Sequence, residues 1–239
     1  MMELSMFRWI LCFAVALLCS NVYAYRVEPM VAEMEPIGKR AQMSMRIDNT
    51  SKDPLTVELY PLAMTMDKYG NEAITAADND LLVIPVTAII KPGRSQAVMI
   101  RYLGDPSISQ SKSYRIAVKQ VKVNNSGTDS GQMGLLFQFN TLINVRPKNT
   151  SPDLDIKNIS SNGKNWLVEV QNSGNSYGRL SNTEWSITDG NHSRHLKGIE
   201  ISQLIAGTLI LPKSTRLFEM TPIKNFDLSR LEIDITKEE

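Results

Sequence analysis

Met43-Ser44-Met45-Arg46-Ile47 and Leu55-Thr56-Val57-Glu58-Leu59 each alternate apolar with polar residues at period two, and Asp48-Asn49-Thr50-Ser51-Lys52-Asp53-Pro54 between them is a run of turn formers. Alternation at period two gives an extended strand one apolar face, which a helix of period 3.6 does not present. The two segments therefore read as an antiparallel strand pair joined by a turn-rich connection. Met64 and Met66 continue the second strand until Asp67-Lys68-Tyr69-Gly70-Asn71 turns the chain. Their i, i+2 spacing fits core-facing strand positions better than a soft-metal site.

Outward from this pair the same grammar repeats. Residues 81–90 are an apolar stretch carrying Pro85, Lys91-Pro92-Gly93 breaks it, and residues 96–103 and 114–123 read as strands, the latter containing Arg115 and Lys119. Asn124 to Gln132 is too polar and too rich in Gly and Ser to bury anything, and reads as a mobile surface loop. Residues 133–145 then read as one long strand closing in Arg146-Pro147. Its odd positions Met133, Leu135, Phe137 and Phe139 form an apolar face, opposite Gly134, Gln138 and Asn140, with Leu136 the exception. Such a face either fills the core of its own unit or, exposed at a sheet edge, requires a partner to cover it.

Pro147-Lys148-Asn149-Thr150-Ser151-Pro152 brackets polar residues with two prolines, and a new strand series opens at Leu154. That series runs through residues 166–170, 177–180, 184–188, 208–211, 215–220 and 231–235. Asn162-Gly163 and Asp189-Gly190 are its hairpin cues. Scarce helix signals make both halves all-β units of sandwich size, assigned here to residues 25–148 and 149–239. The first 24 residues stand apart. The apolar run from Trp9 to Cys19 follows Arg8 and ends in Asn21-Val22-Tyr23-Ala24, which suits a secretory signal peptide cut after Ala24. The run is shorter than the roughly 20 residues that span a bilayer. Leu18 stands where a lipoprotein signal ending at Cys19 needs a small residue. Both cysteines of the chain, Cys12 and Cys19, leave with this segment, so the mature protein is expected to hold together by packing alone, without membrane insertion.

Of the 239 residues 26 are basic and 25 acidic, a net charge of +1 that excludes nucleic-acid binding through a basic stripe. Residues for covalent catalysis are missing: the mature chain has no cysteine, and its two histidines, His192 and His195, share one turn. Those histidines have no third ligand nearby in sequence and read as a solvated hairpin tip. Phosphate-cradling glycine loops are absent. Asp153 and Asp155 read as an exposed strand start, and the sequons at Asn49, Asn149, Asn158 and Asn191 carry meaning only in a eukaryotic secretory route. No enzyme activity, cofactor or metal is expected.

Tyr25-Arg26-Val27-Glu28-Pro29-Met30, Pro36-Ile37-Gly38, Ile47-Asp48-Asn49-Thr50, Lys91-Pro92-Gly93, Ser113-Tyr114-Arg115 and Val145-Arg146-Pro147 resemble, in order and spacing, the PapD-like periplasmic pilus chaperones. The resemblance spans nearly the whole mature chain and is nearest the divergent archaic or alternative branch. It implies two immunoglobulin-like β-sandwiches set at an angle with a cleft between them. It also implies a periplasmic location, pilus or fimbrial subunits as clients, and an outer-membrane usher as the acceptor. By the same resemblance, the last strand of the first domain completes the client, with Met133, Leu135, Phe137 and Phe139 entering its groove. Better-known members grip the client's terminal carboxylate with an Arg on the first strand and a Lys on the donor strand. Glu33 and Asn140 fall at those places here, and Lys112 replaces a usual acid. The candidate anchors are therefore Arg115 first and Arg101 second, each read alternatively as a solvated strand residue. A secreted fimbrial subunit or adhesin is the alternative reading, although such subunits are usually one incomplete sandwich, often with a cysteine pair. A third is a sugar-binding sandwich stacking its ligand on Trp166 and Trp185.

Overall fold

The computed structural model describes residues 25–121 and 136–237. The leader at 1–24, the loop read at Asn124 to Gln132, and Met133 and Leu135 of the apolar row lie outside the described residues. Ten strands come first: Arg26–Glu28 (β1), Val31–Met34 (β2), Gln42–Asp48 (β3), Leu55–Met66 (β4), Glu72–Ala76 (β5), Leu81–Ile84 (β6), Thr87–Ile90 (β7), Ser95–Tyr102 (β8), Lys112–Gln120 (β9) and Gln138–Val145 (β10). They make a four-stranded sheet ordered β1-β3-β8-β6 and a six-stranded sheet ordered β2-β10-β9-β4-β5, with β7 also on β4. The chain thus changes sheet at Pro29-Met30, between β1 and β2.

The segments expected to pair, β3 and β4, do not. β3 lies between β1 and β8, whereas β4 lies in the other sheet against β9, β5 and β7. Alternation specifies which face of each strand is apolar and leaves the neighbour open. Here Met45 and Ile47 of β3 meet Leu55, Val57 and Leu59 of β4 face to face across one core. Asn49, almost fully buried, fixes the crossing: its amide nitrogen donates to the carbonyls of Asp53 and Ile90, and its Oδ1 accepts from Ser51.

The later strands are Leu154–Ser161 (β11), Trp166–Asn172 (β12), Gly178–Arg179 (β13), Thr183–Thr188 (β14), Ser193–Leu196 (β15), Leu209–Ile210 (β16), Ser214–Met220 (β17) and Glu232–Lys237 (β18), with one short helix, Gly198–Leu204 (α1). β11-β12-β17 and β15-β14-β18 form three-stranded sheets, and β13 pairs β16. Among the described residues no strand of this group pairs with β1–β10, and it has its own core around Trp166, Val168, Val170, Trp185, Ile187 and Phe218. Both hairpin cues operate, Asn162-Gly163 between β11 and β12 and Asp189-Gly190 between β14 and β15.

The Asp189 turn also ties the second sandwich together. Its carboxylate, almost inaccessible to solvent, accepts the backbone N–H groups of Asp227 at 2.9 Å, Asn191 at 2.9 Å and His192 at 2.7 Å. These bonds, led by that from Asp227, hold the carboxyl well below the usual carboxylate range against the opposing effect of burial. A depressed folded-state pKa stabilises above the unfolded value of about 3.9, and that stabilisation is lost as pH falls below it toward the folded value. Urea unfolding of the second sandwich is expected to shift little from pH 7 to pH 5 and to weaken on further acidification. Asp189→Asn is expected to be weaker at pH 7 and to lack most of the acid-dependent step.

A third cluster joins the two sandwiches: Met64 and Leu142 from the first and Leu209 from the second, flanked by Met66, Tyr177 and Leu211. The methionine pair read as core-facing therefore packs at this junction, Met64 buried and Met66 half-buried. Around it Ser111 N–H donates to Asn175 O, Tyr177 N–H to Ser111 Oγ and Leu217 N–H to Lys68 O. Glu33 closes the junction from one side. It pairs with Arg146, Nε to Oε2 at 2.8 Å, and accepts the Tyr177 hydroxyl at 2.7 Å. Burial and that bond push the Tyr177 phenol up to about 12, so it remains a donor.

Candidate functional site

β10 is the centre of the site because only half of it is enclosed. On one side β9 pairs with it from Gln138 to Val145; on the other, β2 pairs in parallel from Leu142 to Val145 only. No strand among the described residues covers Gln138 to Thr141 on that second side. The ladder's phase follows from two bonds: Gln120 N–H donates to Phe137 O, and Leu142 N–H donates to Met30 O. Odd residues of β10 thus turn their main-chain groups toward β9, and even residues turn theirs away. Gln138 and Asn140 present N–H and C=O at an open edge, a template for a further strand.

Side chains alternate in the perpendicular direction. Phe137 and Phe139 lie in the row of Ile143 and Val145 and rest half-buried against the first core. The Phe139 ring meets Tyr25 edge to face at 4.8 Å. Tyr25 donates to Val118 O and Phe137 O, and burial pushes its phenol up to about 12. The even row, with Leu142 and Asn144, faces the junction between the sandwiches.

Arg115 belongs to that outer face. It stands opposite Leu142 of β10 and Leu62 of β4, and so beside the point where the open edge ends. There it lines a cavity of about 670 Å³, together with Val31, Glu72, Leu142, Leu209, Arg179 and Arg216. Arg115 grips Glu72 with two prongs, Nε to Oε2 at 3.0 Å and Nη2 to Oε1. Arg101 sits elsewhere: its neighbours Ile100 and Tyr102 enter the first core, so it is exposed on the outer face of the opposite sheet, between Gln42 and Leu82. Glu33 is committed to Arg146 and Tyr177, and Asn140 is exposed and accepts from Gln138 Nε2.

Two further arginines were not anticipated. Arg216 is only 8% exposed; its guanidinium lies 4.4 Å from the centre of the Phe218 ring, and Nη1 donates to Leu209 O. It packs against Gly70, where a Cβ would overlap the guanidinium and the backbone has φ +89. Burial lowers its pKa, while Asp67 and Glu72 favour its charged form. The Nε–H groups of Arg216 and Arg179 are buried and find no acceptor among the described residues. Arg216 did leave a signal in the sequence, since it shares the inward parity of Phe218 and Met220. Arg179 left none, because a two-residue strand has no period to violate.

The remaining candidates resolve simply. Trp166 and Trp185 are 5% and 0% exposed within the second core, so neither is an open platform for a sugar ring. Asp153 and Asp155 are exposed, Asp155 paired with Lys157. His192 and His195 are exposed on the β14–β15 hairpin. Among the described residues no helix is long and apolar enough to cross a membrane.

No family model and no curated protein matches the sequence. Solved structures do match. The class 5 fimbriae chaperone CfaA aligns with a TM-score of 0.56 at 15% identity over 89% of this chain and 99% of its own. The E. coli chaperone DraB aligns at 0.56 and 13% identity over 91% and 97%. A chain of the CsuC–CsuE chaperone–tip adhesion subunit pre-assembly complex, from the archaic chaperone-usher Csu pili of Acinetobacter baumannii, aligns at 0.55 and 13% identity over 82% and 89%. This chain has the fold of the fimbrial chaperones. The alignments cover strands of both sandwiches.

Proposed function

We propose that the chain is a periplasmic chaperone for pilus subunits. It receives an incomplete subunit along Gln138 to Thr141, lends it β10 as a missing strand and passes it to an outer-membrane usher. The half-open edge of β10 carries this reading. Main-chain groups of Gln138 and Asn140 supply affinity by strand addition, and the row Met133, Leu135, Phe137 and Phe139 supplies side chains for the client's groove. Half-burial of the two phenylalanines leaves part of each ring for a client. Among proteins of this fold, CsuC is described in complex with a tip adhesion subunit, and SafB with the SafA pilin.

Arg115 is the anchor for the client's terminal carboxylate. A strand added beside Gln138 to Thr141 is stopped where β2 begins at Val31, opposite Leu142, and Arg115 stands across β10 from that stop. Isolation of the protein from its native periplasm is expected to yield a complex with a fimbrial subunit, in which exchange of the Gln138 and Asn140 amides is slowed. Arg115→Ala is expected to fold and to capture the subunit at least tenfold more weakly, because a desolvated carboxylate loses its partner. Arg101→Ala is expected to capture normally. Capture at wild-type strength by both variants discards the anchor, and unchanged exchange at Gln138 and Asn140 discards strand addition.

A further inference from the structure

Arg115 already holds a carboxylate in the free chain. The two-pronged contact from Glu72 is the geometry in which guanidinium binds a carboxylate best, and the two side chains are 19% and 32% exposed, which leaves the pair partly desolvated. Glu72 opens β5, whose five residues are all exposed. Its side chain can leave Arg115 for water without uncovering any apolar core. Arg115, Arg179 and Arg216 line the cavity with Glu72, and Asp67 acts on Arg216 from nearby. One further carboxylate brings these charges into balance, and the buried Nε–H groups of Arg179 and Arg216 are donors without acceptors among the described residues.

We propose that Glu72 is a built-in competitor at the Arg115 anchor, screening it from dissolved acids and yielding it only to a carboxylate at the end of a chain bound along β10. This rests on the reading of Arg115 as the anchor. The physical basis is effective concentration. A carboxylate tethered in the same sheet, on β5 beyond β4, acts on Arg115 at a local concentration of millimolar order or more, above that of most dissolved acids. A terminus delivered by main-chain bonds along Gln138 to Thr141 arrives with a comparable advantage. The exchange replaces one two-pronged pair by another, so its main product is discrimination between ligands. Arg179 and Arg216 offset the second carboxylate while both are near the cavity, so the charges balance during the exchange.

The test uses the mature chain and three probes: a labelled strand peptide of alternating valine and threonine with a free carboxyl end, the same peptide ending in an amide, and acetate. Glu72→Gln keeps the shape and removes the charge. It is expected to bind the acid peptide about tenfold more tightly than wild type and the amide peptide equally, and to gain thermal stability from acetate where wild type gains none. Glu72→Ser covers the case in which a glutamine amide oxygen still holds Arg115, and the same tightening is expected of it. Unchanged acid-peptide affinity in both variants, with Arg115→Met still weakened, overturns the screen and leaves the anchor standing. Equal binding of acid and amide peptides by wild type and all variants overturns the anchor and the screen together. Equal stabilisation of wild type and Glu72→Gln by acetate overturns the screen.

Discussion

Asn140→Pro is expected to abolish subunit capture while the free chain stays folded. The N–H of Asn140 points away from β9, so its loss removes no bond from the β9–β10 ladder. Proline is tolerated at such edge positions, and it restricts Phe139 only to the extended region that a strand residue already occupies. An added strand, by contrast, loses a donor and meets the ring where its own backbone must lie. The bond lost with the N–H and the adjoining bond that the ring forces apart, at about 1 kcal/mol each, amount with the steric obstruction to roughly a hundredfold or more in affinity. The melting temperature is expected within about 5 °C of wild type. Phe139→Pro is the contrasting variant, because its N–H faces β9 and its ring packs on Tyr25, and it is expected to melt well below wild type. Size-exclusion chromatography of the complex and thermal unfolding of the free chain separate the two effects. Capture by Asn140→Pro at wild-type strength removes the open edge from the mechanism.

The second large effect is structural. Trp185→Ala is expected to cost the second sandwich about 3–5 kcal/mol, since it deletes a fully buried indole from a close-packed core. The indole Nε1 also donates to Thr183 Oγ1 at 3.0 Å, a buried hydroxyl whose other bond runs to Leu180 O. Alanine leaves both a void and a less satisfied polar group. Trp166, the other tryptophan of residues 25–239, lies in the same core, so its fluorescence still reports unfolding of this sandwich in the variant. Because the first sandwich has a separate core, its transition is expected to shift less, by an amount that measures the coupling through Met64, Leu142 and Leu209. A variant with wild-type urea resistance contradicts the packing described.

Alternation made most strands legible. Segments such as residues 96–103 and 215–220 carry their inward and outward faces in the order of residues, and Ser95–Tyr102 and Ser214–Met220 follow that order. The hairpins at Asn162-Gly163 and Asp189-Gly190 were equally plain, because turn geometry is local. The helix Gly198–Leu204 was not foreseen. One turn or two of helix carries little periodicity, and Gly198 is held there by a tertiary approach: a Cβ would collide with the Ser181 carbonyl. The long strand expected at 133–145 is a strand from Gln138 onward among the described residues, with Leu136 and Phe137 preceding it.

By itself, then, the order of residues determined an all-β chain in two strand series, the apolar row ending in Phe137 and Phe139, and Arg115 as a cation within a strand. These properties depend on a residue and its neighbours within a few positions, and hydrophobic periodicity records them directly. Tertiary structure alone decided that β3 and β4 face each other across a core, that β2 covers only half of β10, and that Arg115 meets Glu72 while Arg101 lies on the opposite sheet. Each of these is a relation between strands distant in sequence. Period two states which face a strand buries and says nothing about which strand will lie beside it.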